Sequence, residues 1–479
     1  MSTDAPEHGA LTRRLPERIY RPELHGVRGL AILGVVLFHL FGAGRISGGI
    51  DIFLAISGFL FTAMLLREAA SSGGSVRIFR YLARLARRLL PPAALVIVAT
   101  VAAGLIFMPS TRHEQLWSEA RASLLYFENV ELITSQLGYG AAGPESSPFQ
   151  HFWSLSVQGQ FYLVWPVAAI AAVLIAKRLK RSAMSVMTVL VILLLVISFA
   201  FTLYMQGYDQ DQAYLMTRTR FWELAFGALL ALGGASLTLP KSLRLPAGWL
   251  GVLLIVTCGL VLDGAQLFPG PWALWPLAGL ALVLASADPH DQESWHPASA
   301  ARFLSNPGFT WIGNVAYGLY LWHWPLLIFY LEIRDREAVG IRGAAAVFAV
   351  SLLAAWLTYR WVERPVAQVR WTEKLQLAAT VTFLGAAGVT ATLALQHAVP
   401  EVPEGFALSG VDRDDHPGAD ALADDPAEVP QGIDPLPDPE ILAQDQAMYY
   451  DWGCQQTHKD EPGAGEVLVC EDPERPQNP

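Results

Sequence analysis

Apolar residues along this chain fall in long unbroken runs, without the alternation or 3.6-residue striping of a soluble protein. A helix needs about 17 to 25 apolar residues to cross a bilayer. Runs of that length predict eleven spans: 27–43, 48–67, 90–108, 152–176, 183–205, 219–235, 247–264, 271–287, 311–331, 342–362 and 375–397. The expected fold class is an all-α integral membrane protein of about eleven transmembrane helices. The start, "MSTDAPEHGALTRRLPERIYRPELHGVRGL", carries Pro and acidic residues ahead of the first run and no small-residue cleavage site after it. That run is expected to stay as a helix and not to be removed as a signal peptide.

Composition agrees with the pattern: 53% of the 479 residues are hydrophobic, 16% are charged, and the mean hydropathy is +0.35. A soluble enzyme and a nucleic-acid binder are both excluded by that balance, and the bilayer is the first partner. Charge orients the spans. With the N-terminus inside, 22 of the 33 Lys and Arg fall in alternate connections on the cytoplasmic side, and such a bias marks that side. Eleven spans then put the C-terminus outside the cell. Three segments follow: a cytoplasmic N-terminus over 1–26, a transmembrane domain over 27–397, and an extracytoplasmic tail over 398–479. The tail holds 20 Asp and Glu against three Lys and Arg, too polar to fold alone, and reads as a solvated linker. Cys454 and Cys470 lie on the oxidising side and are expected to form a disulfide; Cys258, inside a span, is expected to be an apolar filler.

Candidate chemistry comes from ionisable residues inside apolar runs, which are expensive there and mark function. The first two runs carry His39 and Asp51, each six residues from a turn centred near Arg45. Antiparallel helices would bring the two to similar depth, where the carboxylate orients the imidazole for base or nucleophilic chemistry; the plain alternative has Asp51 capping its helix and His39 bonding a neighbouring carbonyl. Arg28 lies eleven residues before His39, about 16 Å along a helix. In "RIFRYLARLARRLLPP", Arg84 and Arg87 share a face by their spacing, with Arg88 beside them. Topology alone explains some of these arginines, but guanidinium forks also suit phosphates.

"PELHGVRGLAILGVVLFH", "GGIDIFLAISGFLFT", "ARRLLPP", "HFWSLSVQGQFYLVWP", "RFWELAFGALLA", "WIGNVAYGLYLWHWPLLIF" and "YRWVERPV" occur in the order and spacing of the membrane acyltransferase-3 family, which the chain resembles over about residues 20 to 370. The resemblance implies transfer of an acyl group, usually acetyl, from cytoplasmic acyl-coenzyme A to a cell-envelope acceptor. It places the family's essential histidine on His39, its accompanying arginine on Arg28, and its R-x-x-R pair on Arg84 and Arg87. Acetyl-coenzyme A is the implied donor, bound by Arg28, Arg84, Arg87 and Arg88, and no metal is implied. The acceptor is expected to be a hydroxyl of a glycan or glycolipid such as trehalose mycolate, polysaccharide or peptidoglycan.

Two departures stand out. Where many members read "SLSVEEQFY", this chain has Gln158 and Gly159, a variant resembling actinobacterial members, which removes two carboxylates and weakens any case for a glutamate base there. The acidic tail resembles the linker that, in many relatives, leads to an extracytoplasmic SGNH hydrolase-like domain, and no Gly-Asp-Ser motif occurs before Pro479. His151, Gln158, Arg220, Glu223 and His323 are candidates for the acceptor side, with Arg220 and Glu223 equally readable as a structural pair and His323 as a packing bond. A transporter or flippase for a glycolipid or anion would use the same intramembrane charges, but paired, Gly- or Pro-broken spans in two matching halves are not evident.

Overall fold

The computed structural model describes residues 20–41, 47–71, 77–135, 146–368 and 372–398. Thirteen helices organise them: α1 (Pro22–Phe41), α2 (Gly49–Ser71), α3 (Ile78–Phe107), α4 (His113–Leu124), α5 (Glu128–Thr134), α6 (Phe152–Leu179), α7 (Ala183–Tyr208), α8 (Thr217–Gly233), α9 (Lys241–Val261), α10 (Leu274–Ser286), α11 (Pro307–Arg334), α12 (Ile341–Thr358) and α13 (Glu373–Ala398), with short helical turns between them. There is no strand among the described residues. The protein is an all-α integral membrane protein. Among the described residues, eight helices are long and apolar enough to cross a bilayer: α1, α2, α3, α6, α7, α9, α12 with its extension to Gln368, and α13.

Every one of the eleven predicted spans coincides with a helix, but the boundaries and roles differ. The third begins at Ile78, twelve residues before the expected start, because the arginine-rich stretch joins the apolar run in one helix with Pro91 and Pro92 inside it. Helix α10 is shorter than a full span, and α8 and α11 are interrupted by polar residues. These inner helices carry much of the packing. Val315, Leu319, Leu321 and Leu327 of α11 are buried, as are Leu224, Ala225 and Ala228 of α8. At the other extreme, α7 leaves Val189, Leu193, Val196 and Ile197 exposed, as expected of a lipid-facing helix with no polar face to solvate.

Two contacts position the polar chemistry. Helix α11 packs along α1 and against α3. Helix α2 packs on α8 so closely that a methyl group on Gly58 would overlap the Leu224 carbonyl, and one on Gly227 would overlap the Ala55 carbonyl. Small residues of this kind let membrane helices meet backbone to backbone, which brings Asp51 in the first turn of α2 within reach of α8.

The internal contacts divide the chain into two units, Met1–Met108 with Gln115–Ala394, and Pro109–Glu114 with Leu395–Pro479. In the second, Ser110–Arg112 form a 3₁₀ turn. The predicted Cys454–Cys470 disulfide lies outside the described residues.

Candidate active site

Proline in α11 sets the geometry. Pro325 has no N–H, so the carbonyl four residues earlier, that of Leu321, loses its helical donor. His151, at the N-terminal cap of α6, supplies the missing proton through Nε2, 3.2 Å from the Leu321 oxygen. Two residues along, His323 turns Nδ1 back onto its own helix, 2.7 Å from the Tyr320 carbonyl and 3.1 Å from that of Leu319. Carbonyls only accept, so Nδ1 carries the hydrogen and a neutral His323 offers Nε2 as an acceptor. His39 of α1 lies 2.9 Å away through its Nδ1, which assigns the hydrogen of that bond to His39 and leaves His39 Nε2 unprotonated.

The three rings form one cluster. His39 and His323 lie nearly parallel at 5.2 Å between centroids, His151 is edge-on to His323 at 5.9 Å, and Trp324 presents an edge to His39 at 4.9 Å. Trp324 is held by a bond from its Nε1 to the Ser147 carbonyl, 2.8 Å. The Tyr320 hydroxyl donates to the His151 carbonyl at 2.7 Å and accepts from Ser154 at 2.8 Å. Every ring therefore has at least one nitrogen fixed by backbone or by another ring.

The sequence-based pairing of His39 with Asp51 is replaced. His39 takes His323, and Asp51 takes Arg220, whose Nη1 lies 2.9 Å from Asp51 Oδ1 and 3.0 Å from Glu223 Oε1. The side chains of all three charged residues are at most 1% exposed. Arg220 also donates to the Tyr214 carbonyl, 3.0 Å, and stacks over the Tyr214 and Trp153 rings. A guanidinium fork satisfies a buried carboxylate with charge and geometry that a neutral imidazole lacks, and the tight α2–α8 contact holds Asp51 against it. Arg220 and Glu223, candidates for the acceptor side, are thus built into a closed ionic triad.

The arginines converge on two adjoining cavities that share lining residues. A vestibule of about 980 Å³ is lined by Arg28, Arg84 and Arg88, together with Arg21, Arg67, Arg77 and Arg80, which sequence reasoning did not single out. Arg84 is 2.7 Å from Glu68 there. Arg87 lines neither cavity: four-residue spacing, not three, puts Arg84 and Arg88 on the inner face of α3. A second cavity of about 120 Å³ shares Arg28, Leu60, Phe61, Leu85 and Arg88 with the vestibule and runs to Ser154 and Tyr320, beside the histidines. Gln158, expected on the acceptor side, lines this narrow cavity and accepts a 3.2 Å bond from Tyr162. Glu363, from the "YRWVERPV" motif, also lines it, together with Arg28 and Arg88; nothing in its local pattern distinguished it from a helix-end carboxylate.

Carboxyl groups on α4 and α5 were missed as well. Glu119 accepts from the Ser147 hydroxyl, in the segment that anchors Trp324. Glu128 is fully buried and accepts from Ser123 at 3.2 Å. Burial, and then the nearby Glu119, hold its carboxyl well above the usual range. Acidic residues scattered through a polar connection read as solvated, and only the tertiary contact with 146–156 buries them.

A multi-pass bundle with an arginine-lined vestibule leading towards buried histidines defines a class of membrane protein. The chain belongs to the acyltransferase-3 family, whose profile, described as "Acyltransferase domain", matches residues 21–360. It is similar to the "Putative peptidoglycan O-acetyltransferase YrhL" of Bacillus subtilis, 30% identical over 72% of this chain and 55% of that protein. It is also similar to the "Peptidoglycan O-acetyltransferase OatA" of Listeria monocytogenes, 28% identical over 73% of this chain and 56% of that protein. The chain spans about half the length of the curated relatives it matches. No solved structure matches it.

Proposed function

We propose that the protein is a membrane O-acetyltransferase that takes the acetyl group from cytoplasmic acetyl-coenzyme A and delivers it to a hydroxyl of an extracytoplasmic envelope glycan or glycolipid. The single observation that carries the reading is the pair of adjoining cavities that share Arg28 and Arg88. An arginine-lined vestibule suits the phosphates of the nucleotide end, and the narrower, largely apolar passage suits an extended thiol arm. Tyr320 is among the residues that line that passage, and its carbonyl anchors His323 and through it His39. The names of the relatives favour peptidoglycan as the acceptor; trehalose mycolates and polysaccharides share the same hydroxyl chemistry. The cytoplasmic N-terminus rests on the distribution of Lys and Arg, which puts the vestibule on the side where coenzyme A is found. A C-terminal SGNH-type domain following the acidic tail would be a further partner.

Within this reading, Arg28, Arg84 and Arg88 hold the phosphates. His323 fixes the ring of His39 so that Nε2 faces the chemistry. His39 Nε2 then either receives the acetyl group or draws the proton from the acceptor hydroxyl. Asp51, Arg220 and Glu223 hold α2 to α8 and take no part in the transfer. The test supplies radiolabelled acetyl-coenzyme A to the purified full chain, with an extract of envelope glycan and glycolipid. Ester-linked label in the extract supports the proposal, and intact thioester with transport of a solute instead would support the transporter reading.

A further inference from the structure

His151 holds a nitrogen that neither the helix packing nor the reaction outlined above uses. Its Nε2 is committed to the Leu321 carbonyl that Pro325 leaves without a donor. The other nitrogen, Nδ1, is fully enclosed and has no hydrogen-bond partner, in a side chain that is 1% exposed. Because a carbonyl accepts, Nε2 carries the hydrogen and Nδ1 is a bare lone pair. A buried imidazole nitrogen without a donor is costly to keep. Its surroundings are Tyr320, His323, Trp324 and Phe152, with ring centroids at 4.8 to 6.4 Å. The same His323 and Trp324 border His39. Two histidines thus flank one pair of rings, each with its hydrogen fixed on the nitrogen turned towards α11 and the other nitrogen unprotonated.

We infer that His151 Nδ1 is the general base that takes the proton of the acceptor hydroxyl, leaving His39 Nε2 as the atom that receives the acyl group. The inference rests on the acyl-transfer reading above and decides between its two alternatives. In the first step His39 Nε2 attacks the thioester carbonyl: a C–N bond forms and the C–S bond breaks. The sulfur leaves with its electron pair and takes a proton from cytoplasmic water. In the second step the hydroxyl oxygen attacks the acyl carbon, a C–O bond forms, and the C–N bond breaks with its pair returning to His39 Nε2. The hydroxyl proton passes to His151 Nδ1 and then to water on the acceptor side. Each half-reaction then uses its own histidine, so neither has to exchange roles between them.

His151→Gln separates the base from the cap, since the amide nitrogen of Gln can still donate to the Leu321 carbonyl while no basic nitrogen remains. With the full chain, labelled acetyl-coenzyme A and an extract of envelope glycan and glycolipid, transfer to the extract is expected to fall by at least about 100-fold. Coenzyme A binding is expected to stay within about twofold, and label is expected to accumulate on the protein in an alkali-labile form that His39→Ala abolishes. A second variant, His151→Gln with Pro325→Ala, returns a helical N–H to the Leu321 carbonyl, and transfer is expected to stay low. Near-normal transfer in His151→Gln, or its recovery in the double variant, overturns the inference, because His151 would then only cap a carbonyl. Absence of transfer by the unaltered chain would instead defeat the acyltransferase reading itself.

Discussion

Two buried polar clusters lie in the same bundle and are built on opposite principles. The triad of Asp51, Arg220 and Glu223 sets one guanidinium between two carboxyl groups, with aromatic rings closing over the guanidinium. The cluster of His39, His323 and His151 uses neutral rings tied to backbone carbonyls or to one another, and its geometry leaves His151 Nδ1 without a partner. A closed ionic network in a membrane interior stabilises one arrangement of helices and resists change. Neutral imidazoles with fixed tautomers are held in place without being used up, so they remain able to bind, accept or move a proton. The difference separates structure from chemistry in a protein where both are buried and ionisable.

The comparison is broken most completely at His39. His39→Ala is expected to abolish acetyl transfer while leaving the protein inserted and able to bind coenzyme A, because the vestibule arginines do not depend on it; turnover measured in that variant would move the chemistry elsewhere. His323→Ala is expected to lower transfer by about 100-fold or more through loss of the fixed tautomer, with thermal stability in detergent little changed. If activity survived, His39 would be oriented by something other than His323.

The triad should fail differently. Arg220→Ala leaves two buried carboxylates without a cation and is expected to destabilise the fold by about 3–5 kcal/mol, seen as loss of folded protein in detergent. Neutralising all three together, as Asp51→Asn, Arg220→Met and Glu223→Gln, is expected to recover most of that stability and to retain transfer. A triple variant that is folded but inactive would place the triad within the chemistry.

Among the arginines the expected effects are smaller and graded. Arg84→Ala with Arg88→Ala is expected to weaken coenzyme A binding, measured by titration, by about 100-fold or more, since charge-assisted bonds contribute about 1.5–3 kcal/mol each. Arg87→Ala is expected to change it less than twofold. Equal losses at positions 84 and 87 would restore the three-residue pairing that the sequence spacing suggested.

The smallest effect concerns Glu128. Its carboxyl is held protonated above the usual range by burial and by Glu119, so the folded chain binds that proton more tightly than the unfolded chain does. The stability it contributes is full below the ordinary glutamate range and is lost as pH rises through the raised value. Glu128→Gln is neutral at every pH and is expected to flatten that decline by about 1 kcal/mol, read as melting temperature against pH. A steeper decline would mean that Glu128 is ionised in the fold.

Much of this architecture is legible in the chain. Apolar runs locate every predicted helix, and the expense of an ionisable group in such a run points to His39, Asp51, Arg220 and His323. Partners are less legible. Depth in an isolated hairpin brings His39 and Asp51 together, but a hairpin in a bundle has other neighbours, and α8 offers Asp51 a cation while α11 offers His39 a ring. The start of α3 is misplaced because an amphipathic arginine stretch does not read as apolar, and the same stretch makes Arg87 look equivalent to Arg88. Pro325 is visible in the sequence, but which side chain meets the carbonyl it frees depends on residues 170 positions away. Glu119 and Glu128 look like surface residues until the segment around Ser147 covers them.

The most direct test of the division between the two clusters uses sealed vesicles that carry the full chain in one orientation. Labelled acetyl-coenzyme A is supplied only on the side of the arginine vestibule and the glycan extract only on the other. The expected result is ester-linked label on the extract, lost in His39→Ala and retained in the neutralised Asp51, Arg220 and Glu223 variant. Label that reaches acceptors only when both substrates share one side, or that persists without His39, would contradict transfer across the membrane through the histidine cluster.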